Sequence, residues 1–277
     1  MVEQGAEAGR DRPGKRVLTP GAYAAFSEAL RARVEADPRV VGLVALGSMA
    51  RRDYEPDRWS DHDFFVITRP GEQETFRADL SWLPLSERIV FSYRETPHGV
   101  KALYEDGHLV ELAVFDPEEL RVARVNRYRV LLDRADIEPR LADLAAATAG
   151  AGEARADDAW LLGQFLTGLL VGATRFARGE RLSGRLLLAS QALRPLLILL
   201  ARHVPSDRRD LCDNLDPFRR FELAYPELGG ELGAVLGRET RAAALGLLEI
   251  ASRELGRRIA GFPSRAAEVV ARRIEES

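Results

Sequence analysis

The chain is poor in cysteine, methionine and lysine, and it has no long uncharged apolar run. A single cysteine, Cys212, in 277 residues excludes an intrachain disulfide framework and a cysteine-built zinc site. That usage predicts a reduced, cytoplasmic setting. The longest apolar stretch, Pro195 to Ala201, falls well short of the ~18 residues a membrane span needs, so none is expected. The first 16 residues, MVEQGAEAGRDRPGKR, lack an apolar h-region and predict a disordered tail rather than a signal peptide. Charge of one sign is missing too: 40 basic side chains face 43 acidic ones, a net of −3. That excludes a chain that coats nucleic acid or an anionic membrane. Only Lys15 and Lys101 are lysine, a bias we read as compositional.

What is present is core material. Hydrophobic residues make up 46% and charged residues 30%, ordinary for a globular protein, and the length suits two domains at roughly 100–200 residues each. Thr19-Pro20 reads as an N-cap with proline at the first helical position. Tyr23, Phe26, Leu30 and Val34 recur at helical spacing, so a helix is predicted over about 20–36. Val40 to Leu46, between Pro38 and Gly47, reads as a buried strand. Further strands are expected at 61–67 and 88–93, a helix at 72–82, and a hairpin of 99–104 with 108–115 around Asp106-Gly107. From residue 117 onward helical periodicity predicts only helices, near 117–130, 137–147, 155–178, 184–202, 217–236, 238–259 and 264–275. The expectation is an α+β chain: a tail (1–16), a mixed-sheet domain with flanking helices (17–120), a helical transition and linker (121–152) and an all-α bundle (153–277). Residues 1–120 carry 15 basic and 22 acidic side chains, a net of −7, against +4 for the rest.

The chemistry-bearing stretch is Gly47-Ser48, then Asp61-His62-Asp63, then Glu111. Residues two apart on a strand share a face, so Asp61 and Asp63 are expected to point one way, ~6.5–7 Å apart. Two such carboxylates resist ionising together, and a divalent cation resolves the conflict. Oxygen-only ligands suit Mg²⁺, and the spacing suits a two-ion site. Gly47 lets backbone approach a phosphate, and the N–H groups and hydroxyl at Ser48 would make an anion site at the start of a short helix. Arg51 and Arg52, just beyond, divide evenly between phosphate contacts and solvated charges. Glu111 is a lone acid inside an apolar strand, where an unpartnered carboxylate is costly. It meets either an arginine or the same metal.

The text GSMARRDYEPDRWSDHDFFVI resembles the Gly-Ser, then Ser-Asp-x-Asp signature of the nucleotidyltransferase superfamily typified by DNA polymerase β. With a helical second half the chain looks most like the aminoglycoside and lincosamide branch. The motif resemblance spans about residues 40–115. It implies that Gly47 and Ser48 hold the β- and γ-phosphates of a nucleoside triphosphate, that Asp61 and Asp63 bind Mg²⁺, and that Glu111 is the third acid, as metal ligand or base. It implies ATP as default nucleotide, a small hydroxylated acceptor, a possible homodimer, and no nucleic-acid or membrane partner. Two departures stand out: His62 where the family usually has an aliphatic residue, and the Tyr-Glu-Pro-Asp-Arg-Trp insertion before Ser60. Competing readings are an antitoxin-type enzyme that modifies a partner protein and a non-catalytic nucleotide-binding module.

Other residues are weighed more plainly. His62, on the opposite face from both aspartates, is expected to pack. Asp157 and Asp158 are expected to cap a helix. Trp160, Phe165 and Phe176 are expected in the core. Asp207, Asp210, Asp213 and Asp216 are expected to be solvated loop acids.

Overall fold

A computed structural model describes residues 19–51, 55–149 and 156–277. The tail, Arg52 and the Ala149-Gly150-Ala151-Gly152 linker after its first residue lie outside the described residues. The chain divides into two compact units, 1–146 and 147–277.

The first unit is a six-stranded mixed sheet with helices. Its strands are β1 (Val40–Leu46), β2 (His62–Thr68), β3 (Ile89–Arg94), β4 (Gly99–Tyr104), β5 (Leu109–Phe115) and β6 (Tyr128–Asp133). The spatial order is β3-β4-β5-β2-β1-β6. Strands β2 and β5 run parallel, and the other neighbours run antiparallel. Helix α1 (Pro20–Ala36) begins as the sequence predicts, Thr19 Oγ1 accepting the Ala22 N–H at 3.2 Å. Its buried stripe of Phe26, Leu30 and Val34 packs with Leu43, Phe64, Val66, Val100, Ala102, Val110 and Leu112 in one core. A second core on the other face joins Val44, Ile67 and Phe115 to Ile137 and Leu141, the latter from α3 (Glu138–Ala149). The short α2 (Gln73–Ala78) carries Arg77, whose buried guanidinium donates to the Val114 carbonyl and pairs with Glu74 and Glu119 at 2.6 and 2.5 Å.

One expected helix is absent. Residues 117–130 do not form a helix: a single 3₁₀ turn (Glu119–Val122) leads into strand β6. Tyr128-Arg-Val-Leu-Leu-Asp is rich in residues that favour strands, and pairing with β1, across one bulge, satisfies the backbone groups on that edge. The Glu- and Arg-rich stretch before it suggested a helix, but the unpaired edge of β1 prevailed. The sheet unit therefore runs past residue 120.

The second unit is all helical: α4 (Asp158–Ala177), α5 (Arg181–Leu186), α6 (Leu193–His203), α7 (Phe221–Ala224), α8 (Pro226–Leu236), α9 (Thr240–Leu255) and α10 (Ser264–Glu275). A π-helical segment, Leu187–Ala192, joins α5 to α6. Pro195 follows one turn later, and its missing N–H and ring disfavour a regular α-ladder there. The composite helix Arg181–His203 is long and apolar enough to cross a membrane by length and composition, though half of its most apolar window is buried inside the fold. The sequence expected no such span. Leu196, Leu199 and Leu200 from this helix join Leu161, Phe165 and Leu169 of α4 in the unit's core. Glycines set the approach of the two helices: a Cβ at Gly184 would lie 2.7 Å from the Gly172 carbonyl. Asp157 caps α4 by accepting the Trp160 N–H at 2.7 Å. Asp158 instead pairs with Arg202 and His203. Phe165 is fully buried, whereas Trp160 is exposed, contrary to the expectation that it packs in the core.

Candidate active site

Strand register builds the site. In the parallel pair, Asp63 stands directly opposite Glu111, and in the antiparallel pair Glu111 stands opposite Lys101. Directly paired residues share a face and sit about 4.8 Å apart across strands. Asp63, Glu111 and Lys101 thus form one row across β2, β5 and β4. Neither acid carries the row's position in its own sequence context, because the register depends on which strands meet.

The chain reverses beside this row. Gly47 opens a four-residue 3₁₀ turn, Gly47–Ala50, immediately after β1. Its φ is +47°, and a Cβ there would lie 2.8 Å from Asp63 Oδ2. Glycine is therefore required twice, by backbone conformation and by the carboxylate against it. The turn ends in Arg51, which is also left-handed, at φ 49°. Arg51 Nε lies 3.9 Å from Glu55, an exposed pair. Arg129 of β6 donates to the Met49 carbonyl at 3.1 Å and holds the turn from the other side.

Ser48 is used differently from the expectation. It does not open a helix of useful length, and its side chain is buried. Its hydroxyl lies 3.1 Å from the Tyr23 hydroxyl and donates to the Asp61 carbonyl at 3.2 Å. Tyr23 also donates to that carbonyl at 3.0 Å. The side chains of α1 and the turn together fix the chain where it enters β2. Asp61 itself stands one residue ahead of the strand, which begins at His62.

His62 packs as the facing argument predicts. It is fully buried, stacked on Tyr23 with ring centroids 3.8 Å apart. Its Nδ1 lies 2.8 Å from His108 Nε2, and its Nε2 lies 2.9 Å from Ser27 Oγ. Burial, and then the neighbouring His108, push its pKa down to about 3. The ring is neutral at pH 7, and its two hydrogen bonds remove the cost of burying its nitrogens. The polar layer beneath the site was invisible in the sequence, because Tyr23, Ser27, His62 and His108 come from three separate elements.

Glu111 meets neither an arginine nor a gathered metal site. Lys101 Nζ lies 2.9 Å from Glu111 and 3.0 Å from Glu95. Those two carboxylates, Glu111 first, raise the Lys101 ammonium above its ordinary pKa. Sequence reading overlooked Lys101; its only signal was rarity, as one of two lysines. Among the described residues, no three His, Cys, Asp or Glu side chains are grouped to hold an ion. By strand register Asp63 and Glu111 stand opposite each other, while Asp61 precedes the strand. By donor chemistry that pair suits a hard cation: oxygen atoms only, on adjacent strands, with a Cβ-free turn against one of them.

No family model matches the chain, and no curated protein matches it. Among solved structures, it is similar to an aminoglycoside 6-adenyltransferase from Bacillus subtilis at 14% identity, covering 90% of this chain and 96% of that one, with a TM-score of 0.33. It is similar to the STING-associated CdnE c-di-GMP synthase from Capnocytophaga granulosa at 11% identity, covering 93% and 79%, with a TM-score of 0.31. It is also similar to the CD-NTase CdnG of Bradyrhizobium diazoefficiens, in complex with GTP, at 16% identity, covering 94% of each, with a TM-score of 0.29. What each acts on is a property of that protein.

Proposed function

We propose that this chain is a magnesium-dependent nucleotidyltransferase that moves a nucleoside monophosphate, AMP by default, from a nucleoside triphosphate to a hydroxyl of a small molecule. The observation that supports this reading is the row of Asp63 and Glu111, closed on one side by the positive-φ turn at Gly47 whose missing Cβ leaves Asp63 Oδ2 room. Asp63, with Asp61 two residues before it, would hold the metal. When bound, magnesium would neutralise charge developing on the phosphates.

The chain's own residues supply the rest. Backbone at Gly47 and Ser48 can approach the β- and γ-phosphates closely, while the Ser48 hydroxyl keeps the turn tied to Tyr23 and Asp61. Glu111 stands on the far side of Asp63 from that turn and takes the proton of the attacking hydroxyl. Lys101 holds the Glu111 carboxylate in line. Pyrophosphate leaves toward the glycine turn. Positioning and charge neutralisation carry most of the acceleration in such reactions.

The test is label transfer from α-labelled ATP, GTP, CTP and UTP, with and without Mg²⁺, to a panel of aminoglycosides and lincosamides. Asp61→Ala and Asp63→Ala are each expected to remove at least ~10²–10³ of the rate, the usual cost of one electrostatic group at a transition state. Near-full turnover by both variants, with the fold intact by circular dichroism, would end the proposal.

A further inference from the structure

We propose that the exposed edge of the sheet, Phe91 and Tyr93 on β3 with Leu103 on β4, is the platform for the acceptor's ring. The inference rests on the nucleotidyl-transfer reading above and extends it to a specificity surface. Register places these side chains on the site's own face. Tyr93 pairs with Lys101 and Phe91 with Leu103, and Lys101 pairs with Glu111, which pairs with Asp63. The row therefore runs Asp63, Glu111, Lys101, Tyr93 from the second strand to the sheet edge, roughly 14 Å over three strand spacings.

Direction follows from the chemistry. Phosphoryl displacement runs in line, so the entering and leaving oxygens lie on opposite sides of phosphorus. The glycine turn that would receive pyrophosphate is on the β1 side of Asp63. The acceptor must then lie over β5, β4 and β3. Apolar side chains are open there: Phe91 is 59% exposed, Tyr93 44% and Leu103 38%. The two rings sit 5.8 Å apart and tilted by 32°, side by side on one strand. Neighbouring apolar side chains that form one patch, unlike single exposed ones, mark a binding surface. Among the described residues, the row and the ion pairs of Lys101 hold three carboxylates, Asp63, Glu111 and Glu95, against one ammonium. An anionic acceptor is disfavoured there. The occupant we assign is a neutral or cationic molecule with a hydroxyl and a ring whose face lies on Phe91 and Tyr93.

The test uses streptomycin, kanamycin and lincomycin as acceptor probes, and GTP as an anionic one, with α-labelled ATP in the wild type and a Phe91→Ala/Tyr93→Ala variant of the full chain. Both side chains are exposed, and an unchanged melting curve verifies folding. For any neutral or cationic compound that accepts label, the acceptor KM should rise ~10-fold or more, while the KM for ATP stays unchanged. Phe91→Tyr/Tyr93→Phe should restore the acceptor KM. An unchanged acceptor KM, an equal rise in the ATP KM, or GTP as the preferred acceptor would overturn the proposal. If the wild type neither binds nor consumes any nucleotide with Mg²⁺, the nucleotidyl-transfer reading fails instead. Calorimetry with the three compounds alone then decides the platform: binding weakened by the double substitution upholds it, and no binding overturns it.

Discussion

Replacing Gly47 with alanine separates two consequences of one missing methyl group. The first is backbone strain. Gly47 has φ +47°, and an L-residue held in that region costs about 1–2 kcal/mol. For a unit of this size that lowers Tm by roughly 2–8 °C. The second is steric. The new Cβ would lie 2.8 Å from Asp63 Oδ2, inside normal contact distance, so the carboxylate or the turn must move. A shift of about 1 Å at a reacting group commonly costs ~10² in rate. Gly47→Ala is therefore expected to lose modest stability and at least ~10²-fold in nucleotidyl transfer. The control is Gly71→Ala. Gly71 has φ +90° and nothing within 4 Å of a built Cβ, so it carries the strain without the collision. Thermal melts and label transfer on both variants make the comparison. Two results would refute the reasoning: near wild-type transfer by Gly47→Ala, or an equal loss by Gly71→Ala.

Two further expectations concern stability. His62 has its folded pKa pushed down to about 3 from 6.5 by burial and by His108. It binds its proton more readily when unfolded, so its contribution is complete above pH 6.5 and is lost as pH falls toward 3. Between pH 6.5 and 5, urea unfolding should show stability falling by up to about 1.4 kcal/mol per pH unit for this group. Carboxylates such as Glu74, held down near 2 by Arg94 and Arg77, join only at lower pH. His62→Asn should flatten that slope, and an unchanged slope would show that the histidine is not its source. In the helical unit, Gly184→Val would set a side chain 2.7 Å from the Gly172 carbonyl and 2.9 Å from Phe176 Cβ. Overpacking of this kind costs about 1–3 kcal/mol, and an unshifted urea midpoint would show that α4 and α5 are not limited by those glycines.

What the sequence by itself determined were the features that need no partner. Thr19-Pro20 starts α1 by local capping, Asp106-Gly107 turns the hairpin, and alternation along β2 sets His62 against Asp63. Gly47 was legible as a turn residue because its conformation is local. Tertiary structure decided everything that depends on which strands meet. Strand β6 exists because the edge of β1 accepts it, against a helical texture in its flanks. Glu111 faces Asp63 only through parallel register, and it meets Lys101 only through the antiparallel neighbour. The Ser48 hydroxyl turned inward because Tyr23 of α1 and the Asp61 carbonyl arrive beside it. Spacing along a chain specifies faces, but charge pairing and hydrogen bonding across elements follow from register and packing, which act between segments tens of residues apart.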